Sequence, residues 1–417
     1  MAVFAHWKIL SAWTVFFATY SALAIGYVPL LRLDRTGAAF VGAVAFVFVG
    51  VLSSHEAFLA QDYETLVLLF SMMLIVSFLV NSGILGRLDR FLRRAVTGRR
   101  ALLWTVVVAS GLFSAFFIND VVCLVMTPMV ISLARHRRLN PVPFLLAVAM
   151  ASNIGSVMTP VGNPQNIFIA SASHVPYARF VAVLAPVSLI GLVILGLYLE
   201  WAFRGRWAMV GDTGETLTEP LPPPPPIRAY VLWRTLAVLG AVLIAFWIGL
   251  PMAQVAAAGA ALLLLTRRTT RRAVFALVDW DLLVLFISLF VLTAGARKVG
   301  IIETLYAQMS VLRPDHFLSF SGITLVLSNV VSNVPAVFFL GQVIPGLPDT
   351  ESFWLLTAMV STLAGNLTLI GSIANLIVVE KARNKVSINF WTYTRVGLPV
   401  TALTLGAGLT YWWLVGP

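Results

Sequence analysis

Fourteen apolar stretches set the terms for this chain. They lie at about residues 9–31, 36–52, 62–82, 101–118, 121–134, 143–171 and 179–200, and again at 229–249, 252–266, 278–297, 317–331, 335–345, 353–380 and 391–413. About 20 apolar residues cross a bilayer as a helix, since each residue rises ~1.5 Å and the hydrocarbon layer is ~30 Å thick. Only 11% of residues are charged and the mean hydropathy is +0.93, where a soluble domain carries about 25% charged residues. The chain therefore reads as an all-α polytopic membrane protein with no sizeable soluble domain. Ile9 to Leu31 is too long for a signal-peptide core and lacks a basic start, so it reads as a retained span. One cysteine, Cys123, excludes an intrachain disulfide or a cysteine metal cluster.

The stretches fall into two sets of seven around one long polar connector, 204–228, which contains the five prolines Pro222 to Pro226 and reads as an extended linker. Shifting the first set by 217 residues lays Gly42 on Gly259, Asp62 on Asp279, Ser71 on Ser288 and Gly83 on Gly300. The shift falls to 214 for Asn119 and Asn333, and to 209 for Thr159, Gly162 and Asn166 against Thr368, Gly371 and Asn375. Internal repeats of this kind mark secondary transporters built around a pseudo-two-fold axis.

Two pairs of stretches are too short to be ordinary spans. The legs 101–118 and 121–134 flank polar Asn119-Asp120, and the legs 317–331 and 335–345 flank Ser332-Asn333, which reads as an N-cap ahead of first-turn Pro335. Both pairs read as re-entrant helical hairpins. With every other stretch crossing once, each half crosses five times and the halves are inverted, giving about ten crossings. Of the 28 Lys and Arg residues, 23 then gather on one side, among them Arg32, Arg35 and the run from Arg87 to Arg100. That bias assigns the side to the cytoplasm, of a plasma (inner) membrane, with both termini outside. It also accounts for the net charge of +11 without nucleic acid as a partner.

The stretch after each hairpin is interrupted. Ala151 to Asn166 holds two glycines and two prolines within eleven positions and is expected to unwind; its counterpart, Ala364 to Asn375, holds two glycines. Unwound backbone at membrane depth survives only where protein or water satisfies it, and such carbonyls and half-helix ends suit a sodium ion or an anion. Asp120 is the one carboxylate placed well inside the membrane, which marks it as an ion-coupling group. Asp62, Glu64, Asp279 and Asp281 read as outward-facing helix-start anchors. The five histidines never pair at i, i+4, and neither a Gly-x-Ser-x-Gly elbow nor a phosphate-binding Gly-Lys-Ser/Thr loop occurs. Membrane hydrolase and ATP-driven pump are thereby excluded as function classes, leaving transport on an ion gradient and no enzyme activity.

Ser152-Asn153-Ile154-Gly155 through Gly162-Asn163-Pro164-Gln165-Asn166 resembles the signature of the arsenite permease and citrate transporter branch of the ion transporter superfamily, and Ser361 to Thr368 is similar to that branch's second-repeat signature. The resemblance implies a transport domain of two hairpins and two unwound helices moving against a scaffold that is dimeric in several branches. Residues 1–203 would form the first inverted repeat (scaffold helices 9–82, hairpin 101–134, broken helix 143–171, helix 179–200). Residues 229–417 would form the second (scaffold helices 229–297, hairpin 317–345, broken helix 353–380, helix 391–413), with 204–228 as cytoplasmic linker. By the same likeness Asn119, Asp120, Asn153, Gly155, Thr159 and Gly162 line one half-site, joined by Ser152, Asn163 and Asn166. Ser332, Asn333, Asn366, Thr368, Gly371 and Asn375 line the other, with Gly365 and Ser372. A coupling sodium would lie among Asn119, Asp120, Asn153, Asn333 and Asn366, or a proton takes its place; no resident cofactor is implied. The partners implied are a small inorganic or organic anion, membrane lipid and a second copy of the chain. Dicarboxylate symporters carry Ser-Asn-Thr at both tips, whereas this chain has Ile118-Asn119-Asp120 and Ser332-Asn333-Val334, a departure that weakens dicarboxylate binding, fits proton or sodium coupling, and leaves arsenite or a metal-complexed or small oxyanion open as substrate. The expectation is a gradient-driven anion or oxyanion transporter working by alternating access, with a sodium/proton antiporter of the same fold as the alternative.

Overall fold

Gly26, at φ +84, ends the first helix early. Helix α1 (Ala2–Ile25) stops there, and the residues expected to continue it form a two-residue antiparallel ribbon, Tyr27–Val28 against Leu33–Asp34. Asp34 then caps α2 (Arg35–Phe48) by accepting from the Gly37 amide at 2.7 Å. A capping box between Ser53 and Glu56 starts the short α3 (Ser54–Leu59), and Asp62 caps α4 (Tyr63–Asn81). The structure, a computed structural model, describes residues 2–28, 31–84, 86–87, 98–207, 228–265, 270–383 and 385–416. Most of the proline-rich connector and residues 88–97 of the basic run lie outside the described residues.

The first hairpin is α5 (Arg99–Phe116) and α6 (Asn119–His136). The amide of Asn119 at its tip donates to the Gly162 carbonyl at 3.0 Å, midway along the broken helix, so the legs turn back at half depth. That broken helix is α7 (Val142–Ser156) followed by α8 (Pro164–Ser173), with Val157 to Asn163 unwound between them. The break is shorter than expected, and Ser152, Asn153 and Gly155 are helical. The reason lies in packing: a Cβ on Gly155 would sit 2.0 Å from the Gly111 carbonyl, so this glycine lets α7 lie directly on α5 and does not unwind the chain. Helix α9 (Tyr177–Ala202) closes the half.

The second half repeats these elements. α10 (Ala229–Trp247), α11 (Met252–Leu264), α12 (Arg271–Phe275) and α13 (Trp280–Lys298) follow α1 to α4, and shifting α4 by 217 residues gives the bounds of α13. Asp279 caps α13 as Asp62 caps α4, and Gly83 and Gly300 both take positive φ. After α14 (Ile301–Met309) come the hairpin α15 (Phe317–Val331) and α16 (Asn333–Val343), the broken helix α17 (Thr350–Ala364) and α18 (Ile373–Ala382), and α19 (Phe390–Val415). α9 and α19 each run 26 residues with a proline at the tenth, Pro186 and Pro399.

Helices α1, α2, α4, α10, α11 and α13 pack on one another as one bundle, and α5–α9 with α15–α19 as a second. Close approach relies on small residues: a Cβ on Gly42 would meet Thr19 of α1, and one on its counterpart Gly259 would meet Val242 of α10. Among the described residues seven helices are long and apolar enough to cross a bilayer, α5 among them, while α2, α11 and α7 are shorter apolar helices. Ion pairs sort by end of the molecule: Glu56–Lys298 and Arg179–Glu351 at one, Arg100–Glu200 and Arg383–Glu380 at the other. Three charged residues depart from expectation. The Asp281 carbonyl accepts from Thr36 Oγ1 at the start of α2, so Asp279 and Asp281 lie at the end opposite Asp62. Arg35 reaches inward to the tip of the second hairpin, where Ser332 accepts from it.

Gly155→Ala is expected to force α5 and α7 apart at a cost of about 3 kcal/mol or more, read as a lower thermal midpoint of the purified protein. Gly240→Ala, where a Cβ meets nothing within 4 Å, should leave the midpoint unchanged.

Candidate functional site

Asn153, 1% exposed, is the meeting point of the two halves. Its Nδ2 donates to Asn366 Oδ1 at 2.9 Å and to Asn375 Oδ1 at 3.0 Å, and its Oδ1 accepts from Asn119 Nδ2 at 3.0 Å and Ser372 Oγ at 3.1 Å. An amide has two donors and two acceptor lone pairs, so Asn153 is fully satisfied. Asn119 comes from the first hairpin tip, while Asn366, Ser372 and Asn375 come from the second broken helix.

Each unwound segment is held by a side-chain clamp, and the two clamps are equivalent. Asn166 Nδ2 donates to the carbonyls of Ser156 and Thr159 at 3.0 and 3.2 Å; Asn375 Nδ2 donates to those of Gly365 and Thr368 at 2.7 and 3.1 Å. All three pairs are related by the shift of 209 residues. Thr159 Oγ1 donates to the Ala115 carbonyl of the first hairpin, and Thr368 Oγ1 to Asn329 Oδ1 of the second. Asn163 caps α8 by accepting from the Asn166 amide at 2.8 Å, which explains the Asn-Pro start of that half-helix. Its Nδ2 reaches Ser156 Oγ at 3.0 Å and Thr362 Oγ1 at 3.2 Å. The 209 shift carries Asn153 onto Thr362 and Asn163 onto Ser372, so Asn163 to Thr362 mirrors Ser372 to Asn153.

The two tips differ. Ile118 has ordinary backbone angles, φ −54 and ψ 124, and Asn119 binds through both backbone and side chain. Ser332 sits at φ +76 and ψ 160, a region natural to glycine and costing other residues about 1–3 kcal/mol. It occupies the expected N-cap position of α16 but makes no capping hydrogen bond through its side chain. With its amide nitrogen turned to them, Asn333 donates to the carbonyls of Gly371 at 3.2 Å and Ser361 at 3.1 Å. Asp120, half-buried at the start of α6, has no hydrogen-bond or ion-pair partner among the described residues. Buried oxygens of Asn119 (Oδ1), Asn166 (Oδ1), Ser114 (Oγ) and Ser328 (Oγ) also have no partner; the two serines are equivalent by the shift of 214. Hard cations take such oxygens, and hydroxyls donate to anions. No cluster of His, Cys, Asp and Glu able to hold a metal occurs among the described residues.

Most of the expected residues are brought together, with exceptions. Ser152 stands apart from the network: its hydroxyl donates to the Ala149 carbonyl and lies 2.9 Å from Cys123 Sγ. Gly155 serves helix packing, as above. Gly162 and Gly371 are where hairpin and unwound chain come closest, since a Cβ would meet the carbonyl oxygens of Ser156 and Ser114 in the first case and Asn329 Oδ1 in the second. Thr362, Gln165, Asn329 and Arg35 were not expected. The 209 shift applied to Asn153 identifies Thr362, and Asn329 lies one turn before Asn333.

A citrate transporter family model matches residues 16–364. The chain is 31% identical to the silicon efflux transporter LSI3 of Oryza sativa subsp. japonica, covering 95% of this chain and 96% of that one. It is 30% identical to a 46 kDa membrane protein of Mycobacterium leprae, covering 96% and 97%. The crystal structure of the YdaH transporter of Alcanivorax borkumensis matches with a TM-score of 0.62 at 14% identity, over 99% of this chain and 98% of that one.

Removing a shared partner leaves several buried groups orphaned, each costing about 1–3 kcal/mol. Asn153→Ala is therefore expected to lower stability by at least about 2 kcal/mol, and Thr362→Val, which orphans Gln165 but leaves Asn163 its bond to Ser156, by less; chemical unfolding of both variants checks the order. Ser332→Gly should raise stability by about 1 kcal/mol by relieving the backbone.

Proposed function

This chain belongs to the citrate transporter family, and we propose that within it the protein is a secondary transporter of a small anion or oxyanion, driven by a sodium or proton gradient through alternating access. It is a membrane transporter and not an enzyme. The observation that carries the finer reading is the pair of equivalent half-sites, each an unwound segment clamped by an asparagine, joined at Asn153 in the middle of the membrane-crossing bundle. The unpartnered oxygens of Asn119 and Asn166 suit a coupling sodium, and Asp120, a carboxylate without a partner, suits a coupling cation or proton. That same free carboxylate supports the second reading, a sodium/proton antiporter. The division into two bundles supports movement of one against the other, and the basic residues, 23 against 5, support cytoplasmic loops with both termini outside an inner membrane. A homodimer joined through the first bundle fits the same picture.

Transport in proteoliposomes decides between the two readings, using arsenite, silicic acid, citrate, succinate, sulfate and phosphate, each with and without a sodium gradient. A flux that requires one of these solutes is expected; sodium-driven proton movement with every solute omitted would instead establish the antiporter. Asp120→Asn should cut gradient-driven flux at least about tenfold while leaving solute exchange at equal ion concentrations intact, as expected for an intramembrane ion carrier. Unchanged driven flux would remove Asp120 from the mechanism.

A further inference from the structure

We propose that Arg35 is the residue that recognises substrate charge, holding a carboxylate or oxyanion against the tip of the second hairpin. This rests on the transport reading above and narrows its substrate class. Arg35 belongs to α2 of the first bundle, whereas Ser332 belongs to the second bundle; Nη1 reaches Ser332 Oγ at 3.5 Å, the outer limit of a hydrogen bond. Arg35 Nε is buried with no partner, and no carboxylate among the described residues forms an ion pair with the guanidinium. The adjacent carboxylate, Asp34, is engaged in capping α2. A Cβ on Gly26 would lie 3.4 Å from Nε and 3.5 Å from Nη2, so backbone walls that edge and the Nη1 end is turned to the tip.

A half-buried cation with one long bond to a neutral hydroxyl is poorly compensated, and an anion is what compensates it. The amide network around Asn153 is neutral, and Asp120 nearby repels a polyvalent anion; Arg35 supplies the positive charge that this network lacks. Its planar fork matches two oxygens of one carboxylate or oxyanion, and it stays charged at every working pH. Ser332 fits this role, because its strained backbone directs a hydroxyl that caps nothing toward Arg35. A neutral acid such as arsenous acid gains nothing from the guanidinium charge. An anion bound here would also touch both bundles, placing substrate charge at the junction that alternating access has to open and close.

Thermal unfolding of the purified full-length protein tests this with citrate, phosphate and arsenate against chloride at matched ionic strength, and with arsenous acid as the neutral probe. At least one polyvalent anion should stabilise the wild type, Arg35→Gln should raise its half-effect concentration roughly tenfold or more, and Arg35→Lys, which keeps charge without the fork, should fall between. Equal half-effect concentrations in the wild type and either variant, or no stabilisation of the wild type by any of the three anions, overturns the proposal. Arg35→Lys carries the test if Arg35→Gln fails to fold. The transport reading fails separately, when no solute moves in proteoliposomes; flux of neutral arsenous acid with no anion stabilisation would keep that reading and remove this site.

Discussion

Unwound backbone at the depth of a bilayer has to find its hydrogen bonds within the protein, and in this chain asparagine amides provide them. Asn166 and Asn375 each take two carbonyls that helix geometry would otherwise have paired, and Asn153 then ties both segments and the first hairpin tip into one network. An amide suits this task because it is neutral, so it can be buried without the cost of an ion, yet it carries donors and acceptors together. With these bonds in place the break can persist where a continuous helix would be the default.

The hairpins follow from the same demand. A leg that turns back at half depth exposes the orphan amides of a helix start, and Asn119 meets this by donating its own backbone N–H to Gly162. Gly162 can receive it because no side chain keeps the tip away. Around the polar centre the packing is apolar: Phe168 of α8 stacks on Phe338 of α16 with centroids 4.2 Å apart, and Phe290 of α13 meets Phe338 edge-on at 4.9 Å. That ring cluster spans the two bundles, beside the directional bonds Arg35–Ser332 and Ser171–Asp62.

Much of this was legible in the sequence because symmetry doubles every signal. One Asp at the start of an apolar stretch says little, but Asp62 and Asp279 at a constant shift mark two equivalent helix starts, and both are caps. The hairpins were legible from the polar pairs at their tips, Asn119-Asp120 and Ser332-Asn333, more than from leg length, since α5 is itself long enough to cross. What could not be read was the job of each small residue, since Gly155 and Gly162 look alike as letters while one packs helices and the other borders a break. Ser152 looked like a site residue from its neighbours, but its place on α7 turns the hydroxyl to Cys123. Arg35 was hidden by its company: it follows Arg32 and Asp34 in a short loop, where charge normally means solvent, and only the folded tip of the second hairpin reveals its contact.

The symmetry is also incomplete where it matters most. Asn153 corresponds to Thr362, and an amide that makes four cross-links is replaced by a hydroxyl that accepts two. The first hairpin tip is held at Asn119 by backbone and side chain together with ordinary torsions, whereas the second turns through a strained serine. Strain of that kind persists only where surrounding contacts impose it, and those contacts, the Arg35 bond and the Asn333 amide, are themselves replaceable by other donors or acceptors. The first tip is therefore held at ordinary torsions by main-chain and side-chain hydrogen bonds, and the second at strained torsions by side-chain hydrogen bonds.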